Sequence, residues 1–180
     1  MRLLGAVLAG GRSTRFGADK AEALLRGRSL LDHAIAALSG QCDAVVVVGH
    51  DHPGTPSVPD RPRPDCGPLG GLAAAFGHAL EHGFDQVLTA GVDSIGLPAD
   101  LAVHLAPAPA YLATQPVVGL WPAKAGAGAG AVAEIMASDG RHSMRAFATR
   151  LGARPVNLAA EPANVNTRAD LARLENDDGL

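Results

Sequence analysis

LAGGRSTRFGADK, residues 8–20, is the stretch of sequence that decides how this chain folds. It follows an apolar run, residues 3–8, that is typical of a buried strand beginning almost at the N-terminus. The strand breaks into Gly10 and Gly11 and then into a helix-like segment. Such a turn presents a row of bare backbone N–H groups, which suits the oxygens of a phosphate.

Three cations accompany these glycines. Arg12, Arg15 and Lys20 lie within about two helical turns of them, as an oligophosphate ligand requires. The spacing is neither the P-loop pattern, because no Gly-Lys-Ser/Thr follows, nor G-x-G-x-x-G. An ordinary strand-to-helix turn with a solvated basic face is the alternative that the residues leave open.

Composition limits the class of protein. The chain has 180 residues, of which 47% are hydrophobic and 18% charged, so we expect one folded domain over residues 1–180. A net charge of -3 argues against a broad nucleic-acid-binding surface. No signal peptide and no apolar run of about 20 residues is present, which predicts a cytoplasmic protein without membrane contact. The seven histidines and two cysteines form no zinc-like set.

Strand-like runs alternate with helix-like stretches along the whole chain. This alternation predicts an α/β fold, a three-layer α/β/α Rossmann-like single domain with a mostly parallel sheet. The predicted strands are 3–8, 44–48, 55–58, 86–92, 111–114, 116–121 and 155–158, and the strands 111–114 and 116–121 are expected to form a hairpin. The predicted helices are 29–38, 69–82, 98–105, 131–137, 142–151 and 167–175, and residues 122–130 are expected to be a connector.

Ligands of open α/β sheets bind beyond the carboxyl ends of the strands. The strand predicted over residues 86–92 ends at Asp93, at the same edge as the Gly10–Gly11 turn. A carboxylate beside a phosphate loop suits Mg²⁺, which takes oxygen ligands and shares them with substrate phosphates. The alternative is that Asp93 caps the helix that follows.

Two further polar segments are candidates for the rest of the site. Asp60 and Asp65 precede the turn Gly67–Gly71, where glycines permit close approach of a flat ligand and a carboxylate accepts the N–H donors of guanine. A plain surface turn is the alternative. Asn164 and Asn166 lie on one face if the chain is extended, just before a helix for which Thr167 is the expected cap. They either bind a polar ligand or form Asx-turns.

One glycine pattern is a decoy. Residues 126–131, GAGAGA, formally satisfy G-x-G-x-x-A. The preceding strand is separated from them by residues 122–124, and no acidic residue stands about 20 positions further on. A dinucleotide site is therefore not expected there.

Taken together, the segments resemble the molybdenum cofactor guanylyltransferases, within the wider nucleotidyltransferase superfamily. The resemblance runs nearly end to end and rests on residues 8–17 with Asp19-Lys20, Asp60 seven residues before Gly67-Pro68-Leu69-Gly70-Gly71, Asp93, Gln115-Pro116, Gly140-Arg141 to Arg145, and Asn164-Val165-Asn166-Thr167. The chain departs from the family at the metal motif, where Val92-Asp93-Ser94-Ile95 replaces Cys-Asp-x-Pro.

The resemblance implies transfer of GMP from GTP to the phosphate of molybdopterin, with release of pyrophosphate and Mg²⁺ as cofactor. It assigns GTP binding to Leu8, Ala9, Gly10, Gly11, Lys20, Asp60, Gly67 and Asp93, catalysis to Arg15, Lys20 and Asp93, the metal to Asp93, and the acceptor to Asn164 and Asn166. GTP and molybdopterin are the implied substrates, molybdopterin-delivering proteins and molybdoenzyme chaperones the implied partners, and a monomer or weak homo-oligomer the expected state. A transferase that uses CTP or a sugar-phosphate acceptor, and a non-catalytic nucleotide-binding homologue, are the alternatives.

Overall fold

A computed structural model describes residues 1–10, 19–64, 66–139 and 142–176 of the chain. Its strands are β1 (Leu3–Leu8), β2 (Leu24–Leu25), β3 (Arg28–Ser29), β4 (Ala44–Val48), β5 (Ser57–Val58), β6 (Gln86–Gly91), β7 (Ser94–Ile95), β8 (Ala110–Leu112), β9 (Gly119–Pro122), β10 (Arg154–Val156) and β11 (Ala163–Asn164). Its helices are α1 (Leu30–Ser39), α2 (Gly67–Glu81), α3 (Leu101–Leu105), α4 (Ala127–Ala137), α5 (Met144–Arg150) and α6 (Arg168–Asn176), with a 3₁₀ turn over Lys124–Gly126. Among these helices none is long and apolar enough to cross a membrane.

The main sheet has seven strands in the order β10-β8-β9-β6-β1-β4-β5. Only β9 runs against the others, because it pairs antiparallel with both β6 and β8. The central strand β1 pairs parallel with β4 and with β6, and its buried residues need partners on both faces of the sheet. The mostly parallel sheet and the β8–β9 hairpin are therefore confirmed.

Two layers of helices cover this sheet, which confirms the three-layer α/β/α architecture. Alternate residues of β1 face opposite sides: Leu4, Ala6 and Leu8 join the core under α2, α4 and α5, whereas Val7 joins the core under α1 and α3. On the first side, Trp121 packs edge-on against Phe147, and its indole N–H donates to the Thr89 hydroxyl at 2.9 Å.

The structure corrects several predicted bounds, among them the start of the second hairpin strand, which is Gly119 and not residue 116. The predicted connector 122–130 is wrong, because the 3₁₀ turn and the first residues of α4 occupy it. Helix α3 begins at Leu101, not at Pro98, and α2 begins at Gly67, two residues before the predicted start. Two small antiparallel pairs, β2–β3 and β7–β11, were not predicted.

Candidate functional site

The carboxyl ends of four parallel strands meet at one edge of the sheet. Leu8, the last residue of β1, pairs with Val48 of β4 and with Gly91 of β6. The segments that follow these strands therefore leave the sheet side by side. They carry the residues that the sequence predicted for the site.

Asp60 and Gly10 lie in direct contact at this edge. A Cβ atom on Gly10 would fall 2.9 Å from Asp60 Oδ2, and one on Gly71 would fall 3.6 Å from Asp60 Oδ1. Asp60 is only 8% exposed, whereas the turn residues 61–64 that follow it are exposed. A cavity of about 270 Å³ opens here, lined by Gly10, Gly49, His50, Asp51, Ser57, Val58, Pro59, Asp60 and Pro64.

Lys20 and Asp93 lie in contact at the same edge of the sheet. The Lys20 ammonium donates to Asp93 Oδ2 at 3.0 Å and to the amide oxygen of Asn166 at 3.5 Å. Their side chains are 14% and 28% exposed, so water screens this pair less than a pair on the open surface. Asp93 caps no helix, because α3 begins at Leu101, and the capping alternative is wrong.

The backbone around Asp93 is held by strand pairing. Val165 donates its N–H to the Asp93 carbonyl at 2.9 Å, and β7 pairs antiparallel with β11 directly beyond it. The Asp93 carboxylate lies over Gly91, where any Cβ atom would collide with Oδ1. A side chain at position 91 would therefore displace the carboxylate.

A buried hydrogen-bond chain holds the segment that follows Asp93. The Ser94 hydroxyl donates to Gln115 Oε1 at 2.7 Å, and Gln115 Nε2 donates to the Pro162 carbonyl at 2.6 Å. Both side chains are almost fully buried, so these bonds are shielded from water. Ile95 packs with Leu25, Leu30 and Val165 in a small core of its own. Packing and hydrogen bonding thus hold Ser94 and Ile95 in place beside Asp93.

The segment 164–167 forms the predicted cap of α6. Thr167 accepts the N–H of Asp170 at 3.1 Å, and Asp170 accepts the N–H groups of Asn166 and Thr167 in return. This reciprocal arrangement caps α6 and lowers the pKa of Asp170 to about 2, chiefly through the Asn166 backbone bond. The Asn166 side chain still reaches Lys20, whereas Asn164 is exposed in β11 opposite Ser94.

His50 is a site residue that the sequence analysis missed. It follows β4, lines the cavity beside Asp60, and contacts Asp19, the neighbour of Lys20. The carboxyl-end rule that singled out Asp93 applies equally to Gly49 and His50 after β4, and that signal was present in the sequence.

Several predicted residues stand apart from these contacts. Gly67 begins α2 with φ +67° and open space around its Cα, although Gly70 and Gly71 of the same turn approach Asp60. Leu8 and Ala9 contribute backbone only: the Leu8 carbonyl accepts from Val92, and the Ala9 N–H donates to Val48. Gly11, Arg12, Arg15, Asp65, Gly140 and Arg141 lie outside the described residues.

The oxygen atoms around Asp93 could hold a hard cation such as Mg²⁺ only if a substrate supplied further ligands. Within the described ranges, no three His, Cys, Asp or Glu side chains converge on one point as a metal site. Asp93 and Asn166 supply carboxylate and amide oxygens, the ligand types of Mg²⁺. A magnesium ion held here would take its other ligands from water and from phosphate oxygens.

The family model and the sequence relatives agree on one family. Residues 5–162 match the MobA-like NTP transferase domain. The chain is 38% identical to the molybdenum cofactor guanylyltransferase of Acidiphilium cryptum, over 94% of this chain and 92% of that protein. It is 37% identical to the enzyme of the same name from Rhizobium leguminosarum bv. trifolii, over 96% and 91% of the two chains. Among solved structures, molybdopterin-guanine dinucleotide biosynthesis protein A from Archaeoglobus fulgidus superposes with a TM-score of 0.74 at 19% identity, over 96% and 97% of the two chains.

Proposed function

This chain belongs to the MobA-like NTP transferase family and to its molybdenum cofactor guanylyltransferases, and we propose that it transfers GMP from GTP to the terminal phosphate of molybdopterin. The observation that carries the proposal is the contact of Lys20 with Asp93 and Asn166 at the sheet edge that also holds Gly10 and Asp60. A cation, a carboxylate and a glycine turn at one edge are what a triphosphate with its metal requires.

The reaction needs little from the protein beyond position and charge. A phosphate oxygen of molybdopterin attacks the α-phosphorus of GTP, and the bond from that phosphorus to the bridging oxygen breaks, releasing pyrophosphate. The acceptor is already an anion, so no side chain has to remove a proton. Catalysis is positioning plus neutralisation of the charge that builds on the leaving group.

Lys20 and Asp93 neutralise each other before substrate binds. On binding, the Lys20 ammonium would turn to the phosphate oxygens, for which Arg15 is the second proposed cation, and the Asp93 carboxylate would become available to a cation. Asp93 would hold Mg²⁺, which would supply neutralisation of charge on the phosphates. Asn166, already within reach of Lys20, and the exposed Asn164 place the acceptor.

Asp60 is the residue proposed to orient guanine. Its buried carboxylate lines the cavity, against Gly10 and near Gly71. An ionised carboxylate accepts hydrogen bonds only, which matches the N–H donors on the guanine edge and not the acceptor N3 of cytosine. Gly70 and Gly71, in the first turn of α2, would border the base beside Asp60.

The substrate assignment is tested by thermal shift and turnover. With Mg²⁺ present, GTP should raise the unfolding temperature more than CTP, ATP or UTP. A ligand that binds only the folded state stabilises it, and the nucleotide that binds most tightly stabilises it most. Pyrophosphate release should then require both GTP and molybdopterin. Stabilisation by CTP alone would overturn the choice of base, and GTP binding without pyrophosphate release would identify a non-catalytic homologue.

The metal assignment is tested by Asp93→Asn. The variant keeps the shape of the side chain but removes the charge, and turnover should fall by at least about a hundredfold. Asp139→Asn, which alters an exposed aspartate between α4 and α5, is the matched control and should retain normal turnover. Near-normal turnover of Asp93→Asn across a Mg²⁺ titration would contradict the assignment.

A further inference from the structure

Two histidines follow β4: His50 contacts carboxylates on the segment that leads into α1, and His52 contacts Asp32 in α1 itself. His50 Nε2 lies 3.1 Å from Asp19 Oδ2 and 3.4 Å from Glu22 Oε1, and its Nδ1 lies 2.7 Å from the Asp51 carbonyl. His52 Nε2 lies 3.1 Å from Asp32 Oδ1, and its Nδ1 lies 3.1 Å from the Thr55 hydroxyl. The two histidines are close in sequence, but the hydrogen-bond partners of their ring nitrogens differ.

The His50 ring is complementary to the imidazolium form. A carbonyl oxygen and an ionised carboxylate accept hydrogen bonds and cannot donate them. Both ring nitrogens of His50 face such acceptors, so both must carry a proton to satisfy the contacts. At His52 the Thr55 hydroxyl can donate to a bare Nδ1, so a neutral ring satisfies every contact.

The charged groups around His50 favour the same form. Asp19 and Glu22 face the ring directly, and Asp51 and Asp60 line the same cavity. Partial burial disfavours the charge, but the bonds to the Asp51 carbonyl and to Asp19 outweigh it, and the pKa of His50 is raised above its ordinary value. No cation in the described part of this wall is recorded in contact with the ring.

His50 is placed to act on Lys20 through Asp19. The second oxygen of Asp19, Oδ1, accepts the N–H of Ala21 at 3.0 Å, so the Asp19 carboxylate fixes the backbone on the far side of Lys20. His50 holds that carboxylate from the cavity wall. The wall beside Asp60 and the segment that aims Lys20 are thereby joined through one ring.

We propose that His50, in its imidazolium form, is a positioning residue that ties the cavity wall to the Lys20 segment, so that affinity for a nucleoside triphosphate falls when His50 loses its proton. The inference rests on the proposed function only in taking Lys20 as the phosphate-binding cation. When His50 loses a proton, either the Asp51 carbonyl or the Asp19 carboxylate loses its hydrogen-bond donor. The segment that carries Lys20 is then held less firmly. Affinity should therefore be full at low pH and decline as the pH rises through the raised pKa.

The test measures the dissociation constant of GTP with Mg²⁺ from about pH 6 to about pH 9, the range in which histidine titrates. His50→Lys keeps a positive charge throughout this range. Dividing the dissociation constant of the unaltered protein by that of His50→Lys at each pH therefore cancels the effect of protonating the triphosphate itself. Relative to His50→Lys, the unaltered protein should lose about three- to tenfold in affinity across the range. His50→Gln should bind weakly with a flat relative profile, and His52→Gln should keep the profile of the unaltered protein.

Histidine titration followed by NMR gives a readout that needs no ligand. Asp19→Asn should lower the pH at which the His50 ring deprotonates, because the ring loses the carboxylate that faces its Nε2. An unaltered relative profile in His50→Gln, no rescue by His50→Lys in a folded variant, or a His50 midpoint insensitive to Asp19→Asn would overturn the inference. Failure of all nucleotides to bind at every pH would overturn the proposed function instead, and the NMR titration would still decide the state of His50.

Discussion

At the scale of single residues, Gly49 determines how closely the end of β4 approaches the end of β1. Its φ is +79°, and an added Cβ atom would fall 2.6 Å from Gly10 Cα and 3.1 Å from Asp60 Oδ1. Both neighbours belong to the candidate site, and one of them is backbone that cannot rotate away. A side chain at position 49 would therefore distort the phosphate turn as well as the β4 end.

Gly49→Ala is expected to destabilise the fold more than Gly54→Ala, although both residues have a positive φ. Position 54, with φ +82°, has nothing within 4 Å of an added Cβ, so its cost is backbone strain alone, about 1–2 kcal/mol. Overlap at position 49 adds about 1–3 kcal/mol. Urea unfolding compares the two variants, and GTP affinity should fall only in Gly49→Ala. Equal loss of stability in both would contradict the close approach.

At the scale of secondary-structure elements, the glycines of residues 126–131 serve helix packing. Gly126 is the left-handed residue that precedes α4, with φ +72°. Gly128 is buried, and any Cβ atom there would collide with the Phe76 ring of α2, whereas Gly130 is exposed with nothing within 4 Å. The GAGAGA pattern therefore reports the contact of α4 with α2, and not a cofactor loop.

This contact predicts opposite effects for two alanine substitutions in one helix. Gly130→Ala should stabilise the protein by up to about 1 kcal/mol, because alanine is the better helix former and the new methyl meets only solvent. Gly128→Ala gains the same propensity but must displace Phe76 or α4, and a net loss of about 1–2 kcal/mol is expected. Thermal unfolding measures both. A stabilised Gly128→Ala would mean that α2 and α4 are not packed through this glycine.

At the scale of the whole molecule, the sequence predicted what continuous patterns encode. The unbroken apolar runs of β1, β4 and β6 identify a buried parallel sheet, and the carboxyl-end rule then finds Asp93 without knowledge of the contacts. The pair β7–β11 joins two-residue strands far apart in the chain, so no local period marks it. The bond from His50 to Asp19 escaped for the same reason, since it exists only once β4 lies beside the β1 loop.

Three aspartates, each hydrogen-bonded at the start of a different element, are expected to make the fold less stable in acid. Asp32 bonds Ser29 at the start of α1, Asp85 accepts the Arg2 N–H before β1, and Asp170 caps α6. These bonds lower all three pKa values, most for Asp170, to about 2. Because the unfolded chain then binds protons more readily, stability is fully present above about pH 4, the ordinary aspartate range, and declines as pH falls toward the folded values.

Urea midpoints measured from pH 7 down to about pH 2 test this sensitivity. If the three aspartates cause the loss of stability in acid, that loss disappears in a variant in which these side chains cannot ionise. The variant Asp32→Asn/Asp85→Asn/Asp170→Asn should start less stable at pH 7, lose less on acidification, and converge with the unaltered protein at the lowest pH. Equally steep losses in the two proteins would place the acid sensitivity in other groups. Amide exchange at Asn166 and Thr167 gives the local counterpart, since their N–H groups are freed when Asp170 is protonated.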